Sequence, residues 1–135
     1  MSFATLRRLL LHGISLLAGG LLLTAPLGCA SSSGSATKPG DVAYHSGSLV
    51  SEEAIGMDGA WDACLGAVKR LEFEEESSAK DALEATLVAR SATDRRITFK
   101  LRRISDKVTE VRIRVGLFGD ERFAREVHES FRKAL

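Results

Sequence analysis

The stretch Ile97-Thr98-Phe99-Lys100-Leu101-Arg102-Arg103-Ile104-Ser105-Asp106-Lys107-Val108-Thr109-Glu110-Val111-Arg112-Ile113-Arg114-Val115 decides the fold class. Ile97, Phe99 and Leu101 alternate with Thr98, Lys100 and Arg102. Beyond a turn at Ser105 to Lys107, Val111, Ile113 and Val115 alternate with Glu110, Arg112 and Arg114. A period of two, apolar on one side and charged on the other, marks antiparallel strands with one covered face and one wet face. Polar residues between two such runs supply the connection.

The same pattern extends upstream. Leu83, Ala85, Leu87 and Ala89 oppose Glu84, Thr86 and Val88, and Ser91 to Arg95 form the following turn. Phe73 to Ser78 is a weaker strand candidate, and the acidic run Glu72 to Glu76 suits a sheet edge, where charge discourages pairing with other sheets. A first strand falls within Asp41 to Ala54, carried by Val42, Tyr44, Leu49 and Val50.

Two segments switch to helical spacing. Asp58 offers an N-cap for a helix from Gly59 to Leu71, with Met57, Ala60, Trp61, Cys64, Val68 and Leu71 on one face. Cys64 on that face reads as a small buried hydrophobe and not as a reactive thiol. Gly116 and Gly119 bracket Leu117-Phe118, and Asp120 caps a final helix whose inner face is Phe123, Val127, Phe131 and Ala134. The predicted fold is a two-layer α+β sandwich over residues 41–135. It has an antiparallel sheet of about four to five strands with two helices on one face, in the order β-α-β-β-β-(β)-α.

The first forty residues read differently. Arg7-Arg8 precede an apolar run from Leu9 to Leu23, too short to span a bilayer, which needs about twenty apolar residues. Residues 1–28 therefore read as a secretory signal peptide. Gly28-Cys29 resembles the end of a lipoprotein cleavage box, so Cys29 is the predicted lipid-attachment residue. Pro26 and Leu27 depart from that box, and an ordinary cut after Ala30 is the alternative, giving a protein secreted to the periplasm. Residues 29–40 then form a small, polar, flexible tether. Ala30 following Cys29, in place of Asp, favours the outer membrane facing the periplasm.

Charge and residue counts exclude several classes. The whole chain carries a formal +1, and loss of Arg7 and Arg8 with the leader takes the remainder to −1. That balance gives no basis for nucleic-acid binding. His45 and His128 lie beyond the leader without metal-ligand spacing to one another or to cysteine, so no metal or cofactor is predicted. Ser46 and Ser48 lie near His45, but no base and orienting carboxylate mark an activated nucleophile, and no catalytic residue is predicted. His128 is read as solvated on the flank of the last helix. The glycines ahead of Asp120 lack the lysine and spacing of a phosphate loop, and read as a turn followed by a cap.

Arg90, Lys100, Arg102, Arg112 and Arg114, with Glu84 and Glu110, fall on the wet sheet face. They are the candidate binding face, for an envelope protein or an anionic surface such as headgroups or glycan. The bland alternative is a solvated face with cross-strand ion pairs.

The segment Ile104 to Asp120, with the Cys29 box, the Tyr44 to Leu49 strand and the Ala60-Trp61 helix, resembles the domain of unknown function 3568 family of small bacterial envelope lipoproteins. The resemblance implies an envelope lipoprotein and carries over no activity or active site. Three functional expectations follow. The first is a lipid-anchored, non-enzymatic interaction or structural domain. The second is a ligand or lipid carrier with an apolar cavity lined by Trp61, Phe99 and Phe123. The third is an envelope hydrolase with titratable groups converging on His45.

Overall fold

In a computed structural model, which describes residues 40–135, the alternating stretches form the centre of one sheet. The elements run β1 (Val42–His45), β2 (Ser48–Glu53), α1 (Met57–Arg70), β3 (Glu74–Lys80), β4 (Glu84–Arg90), β5 (Arg96–Ser105), β6 (Val108–Val115) and α2 (Glu121–Arg132). The sheet has six strands in the order β1-β2-β6-β5-β4-β3, and every neighbouring pair is antiparallel. The fold is the expected α+β sandwich. The signal peptide, Cys29 and nearly all of the tether lie outside the described residues.

The strand count exceeds the expectation because the first strand is a hairpin. Ser46 and Gly47 have φ of 50° and 75°. Positive φ at both central residues belongs to the two-residue turn whose twist matches paired strands. The acidic strand β3 lies at a sheet edge, as expected, and all seven of its residues are exposed.

The covered face carries Leu49, Ile97, Phe99, Val111, Ile113 and Val115, all essentially inaccessible. Both helices pack on that face, α1 over β4, β5 and β6 and α2 over β2 and β6, touching one another alongside. Helix α1 presents Met57, Ala60, Ala63, Cys64, Ala67 and Val68. Trp61 and Leu71, expected inside, are only half-buried at its margin. The alanines explain the difference, because their small side chains let this face seat close to the sheet while the bulky indole stays at the edge. Cys64 is fully buried, as expected, and burial pushes its thiol well above the ordinary cysteine range.

Helix α1 starts two residues earlier than Gly59. Gly56 is its N-cap, without a side-chain cap bond, and Asp58 lies within the first turn, where its carboxylate accepts from Lys80 Nζ at 2.6 Å. An acidic residue there still complements the helix dipole. Helix α2 is capped as expected: Asp120 accepts from the Phe123 amide at 3.0 Å. Its buried face is Ala124, Val127, His128, Ser130 and Phe131, with Phe123 and Ala134 half-buried. Among the described residues, the buried members of the core run from Leu49 to Phe131, and Val42, Tyr44 and Ala134 pack against them. A unit of about a hundred residues closing its own core is large enough to fold independently.

Candidate functional site

The wet sheet face carries all five cations that the sequence singles out, and strand pairing sorts them into two groups. At the β3 edge, Arg90 donates to Glu76 and, at 2.6 Å, to Asp94, which raises its guanidinium above the ordinary arginine value. Arg102 faces Glu110 across β5 and β6 and donates to it at 2.8 Å. These two are neutralised locally, as the solvated-face reading requires.

The other three gather toward the β1–β2 turn. Lys100 and Arg112 are register partners on β5 and β6, and Arg114 lies two residues further along the same face. Arg112 makes only a 3.4 Å contact with Glu110. Among the described residues, neither Lys100 nor Arg114 forms an ion pair. The three line a shallow concavity of about 490 Å³ together with His45 and Ser46 of the hairpin. Val50, Thr98 and the buried Ser48 complete its wall, and no carboxylate contributes to it. The strands place each group: β6 sits between β2 and β5, so residues 48 and 50 flank one side of Arg112 and Arg114, and residues 98 and 100 the other. Positive charge that Glu110 offsets only at Arg112, over a hydroxyl-lined hollow, suits an anion with several acceptor oxygens.

His45 thus joins cations and hydroxyls, and among the described residues no acid lines the hollow with it. The three aromatics expected around a carrier cavity take different places. Phe99 is fully buried at the sheet centre. Trp61 lies beneath Lys80 at 5.9 Å, whereas Phe123 lies beneath Arg95 at 5.0 Å, beyond the far end of the β4 strand. Among the described residues, no three of His, Cys, Asp and Glu gather as metal ligands.

A second polar cluster lies inside the core. Ser51 and Glu53 follow Leu49 on the covered face of β2, and His128 meets them from α2. His128 Nε2 is 2.8 Å from Glu53 Oε1 and 3.0 Å from Ser51 Oγ, and its ring stacks near Phe131 with centroids 6.0 Å apart. The expectation of a solvated His128 is therefore wrong: only 4% of the residue is accessible. Polar residues on the inner face of β2 draw the imidazole in, because a buried carboxylate needs a donor. Burial alone would raise the Glu53 carboxyl. Hydrogen bonds from His128 and Ser51, with the charges of His128 and Arg132, outweigh it and hold the group below the usual carboxylate range. Both contacts fall on one ring nitrogen. A nucleophile relay instead needs the hydroxyl on one nitrogen and the carboxylate on the other, so this cluster joins helix to sheet.

Beside the concavity, the Gly116–Gly119 turn packs onto the β1–β2 hairpin. A Cβ on Gly47 would lie 2.6 Å from the Phe118 carbonyl oxygen and 3.3 Å from Arg114 Nη2. One on Gly119 would collide with the Gly47 backbone and the Tyr44 hydroxyl. Asp120, after this turn, is held below its ordinary value by the Phe123 amide and by Arg95, which donates to it at 2.5 Å.

Residues 12–134 match the family described as Protein of unknown function (DUF3568). The chain belongs to this family. The DUF3568 match takes in the described domain up to residue 134 and also Cys29, and the description states no activity. A comparison with curated proteins finds no match.

Proposed function

We propose that this DUF3568 protein is a lipid-anchored component of the bacterial cell envelope, whose domain is a non-enzymatic module that binds anionic groups on its outer sheet face. The observation that carries the binding reading is the acid-free hollow bearing Lys100, Arg112 and Arg114, beside a face where Arg90 and Arg102 are neutralised. Phosphate or carboxylate oxygens would take charge-assisted hydrogen bonds from the two guanidinium groups and the ammonium, with Ser46 and Thr98 adding neutral donors.

The anchor reading rests on Arg7-Arg8, the apolar run and Gly28-Cys29, and it is supported by a family match that begins at residue 12, inside the leader. A diacylglyceryl thioether plus an N-acyl chain gives stable anchoring, whereas a single chain is marginal. Ala30 after Cys29 directs the protein to the outer membrane, facing the periplasm.

Two measurements test the proposal. Labelled palmitate should enter the full chain and be absent from Cys29→Ala; equal labelling of both would end the anchor claim. Calorimetric titration of the domain with glycerophosphoglycerol, a soluble phosphodiester headgroup, should show binding that weakens with salt. Lys100→Gln/Arg114→Gln should remove that binding, and unchanged affinity in this variant would end the binding claim.

A further inference from the structure

Leu117 and Phe118 are the two most exposed large hydrophobic residues of the domain, at 78% and 87%. Single exposed hydrophobics are ordinary on protein surfaces. This pair differs in three respects. Its members are adjacent, they sit at a turn tip, and the turn's backbone is fixed. Gly116 and Gly119, at φ of 67° and 91°, reverse the chain on either side of the pair. The Phe118 carbonyl is packed on Gly47, and Gly119 on Gly47 and Tyr44. Little conformational entropy remains to be lost from such a backbone when its side chains enter another phase.

Cations also lie beside the pair. Arg114 Nη2 reaches the same Gly47 that supports Phe118. The concavity with Lys100, Arg112 and Arg114 opens beside that turn. Asp120, the nearest acid in sequence, is paired with Arg95. An apolar tip flanked by cations, of which Lys100 and Arg114 form no ion pair among the described residues, is the chemistry of an interfacial membrane contact. Apolar side chains enter the boundary between headgroups and acyl chains, and cations hold the phosphates above it.

We infer that the Leu117–Phe118 turn is a membrane wedge that inserts into an anionic phospholipid bilayer while Lys100, Arg112 and Arg114 bind its headgroup phosphates. This deepens the anion-binding reading above and rests on it. A bilayer is favoured over a protein partner on grounds of area. Two side chains fall far short of the roughly 800 Å² per partner that a stable protein interface buries. A bilayer, by contrast, offers an apolar phase to any protruding pair. A soluble anion would leave the apolar tip without a role.

Flotation of residues 34–135, which contain all eight described elements, on phosphatidylcholine vesicles with and without phosphatidylglycerol tests the inference without the lipid anchor. The domain should float with anionic vesicles and not with neutral ones. Lys100→Gln/Arg112→Gln/Arg114→Gln should reduce partitioning roughly a hundredfold, at about fivefold per cation. Leu117→Ser/Phe118→Ser should abolish flotation while leaving circular dichroism unchanged, since both side chains are exposed. In a Trp61→Phe background, Phe118→Trp should be quenched by brominated acyl chains. Wild-type flotation by the double serine variant, or a solvent-like, unquenched indole, overturns the wedge. If glycerophosphoglycerol still binds the hollow in that case, the anion-binding function survives alone; if it does not, both fall.

Discussion

Replacing His128 by leucine should destabilise the domain by about 3 kcal/mol at pH 7, and the loss should shrink as the pH falls. The wild-type Glu53 carboxylate sits 4% accessible between β2 and α2, with His128 Nε2 at 2.8 Å. Removing one partner of a buried charged pair generally costs about 3–5 kcal/mol. Here protonation sets a ceiling. A carboxyl with an ordinary value of 4.5 can be protonated at pH 7 for about 3.4 kcal/mol, at 1.36 kcal/mol per pH unit. In the wild type the folded value lies below 4.5, so Glu53 contributes stability above that pH and loses it as the pH falls through the folded value. In His128→Leu only Ser51 and Arg132 still oppose the burial, so the carboxyl should move upward, the sign should reverse and stability should fall as the pH climbs above 4.5. Urea unfolding of residues 34–135 at pH 7 and pH 5 separates the two, because the Glu53 contribution should be flat over that interval in the wild type and should fall toward pH 7 in the variant. With a denaturant dependence of about 1–3 kcal/mol per molar, the midpoint at pH 7 should drop by roughly 1–3 M. Glu53→Leu/His128→Leu should recover most of the loss, because no unpaired charge remains. A loss below about 1 kcal/mol at pH 7, or parallel pH profiles for wild type and variant, would refute the reasoning.

Asp120→Ala removes the N-cap of α2 and should cost about 1 kcal/mol, lowering the melting temperature by roughly 4–8 °C in a thermal scan. Gly119→Ala must place a Cβ against Gly47 and Tyr44 at a positive φ, and should cost on the order of 1–3 kcal/mol in the same scan; a neutral result would show that the turn is not held by that contact. Native Cys64 should resist thiol reagents at mildly alkaline pH and react only on unfolding, since burial both encloses the thiol and opposes its ionisation. Rapid labelling of the folded domain would contradict its placement.

Strands β4, β5 and β6 were legible because each residue's side is fixed by alternation, as in Ile97, Phe99 and Leu101 against Thr98, Lys100 and Arg102. The Asp120 cap was legible because its signal is local. The β1–β2 hairpin was not, since a four-residue strand carries too few alternations and Ser46-Gly47 is an uncommon form of the two-residue turn. Helix α1 misled through residue size: Trp61 shares the apolar spacing, but the sheet accepts Ala60, Ala63 and Ala67 at close range. His128 misled because its partners lie seventy-five and seventy-seven residues away on β2. A signal did exist there, as Ser51 and Glu53 share the alternation of Leu49 and so required a polar partner in the core. The five cations of the outer face were identified from their alternation. Their division was not, because Arg102 meets Glu110 only through the β5–β6 register, and Arg90 meets Glu76 at an irregularity of β3. Leu117-Phe118 carries no period at all, and only its position on the hairpin links it to Arg114.

Backbone and side-chain chemical shifts of residues 34–135, followed during titration with glycerophosphoglycerol, test the central claim most directly. The account predicts saturable shifts confined to Lys100, Arg112 and Arg114 and to His45, Ser46 and Thr98 around them, weakening as salt is added. Arg90 and Arg102, already neutralised by Glu76, Asp94 and Glu110, should stay still. An absence of saturable shifts, or shifts spread evenly over all five cations, would contradict it.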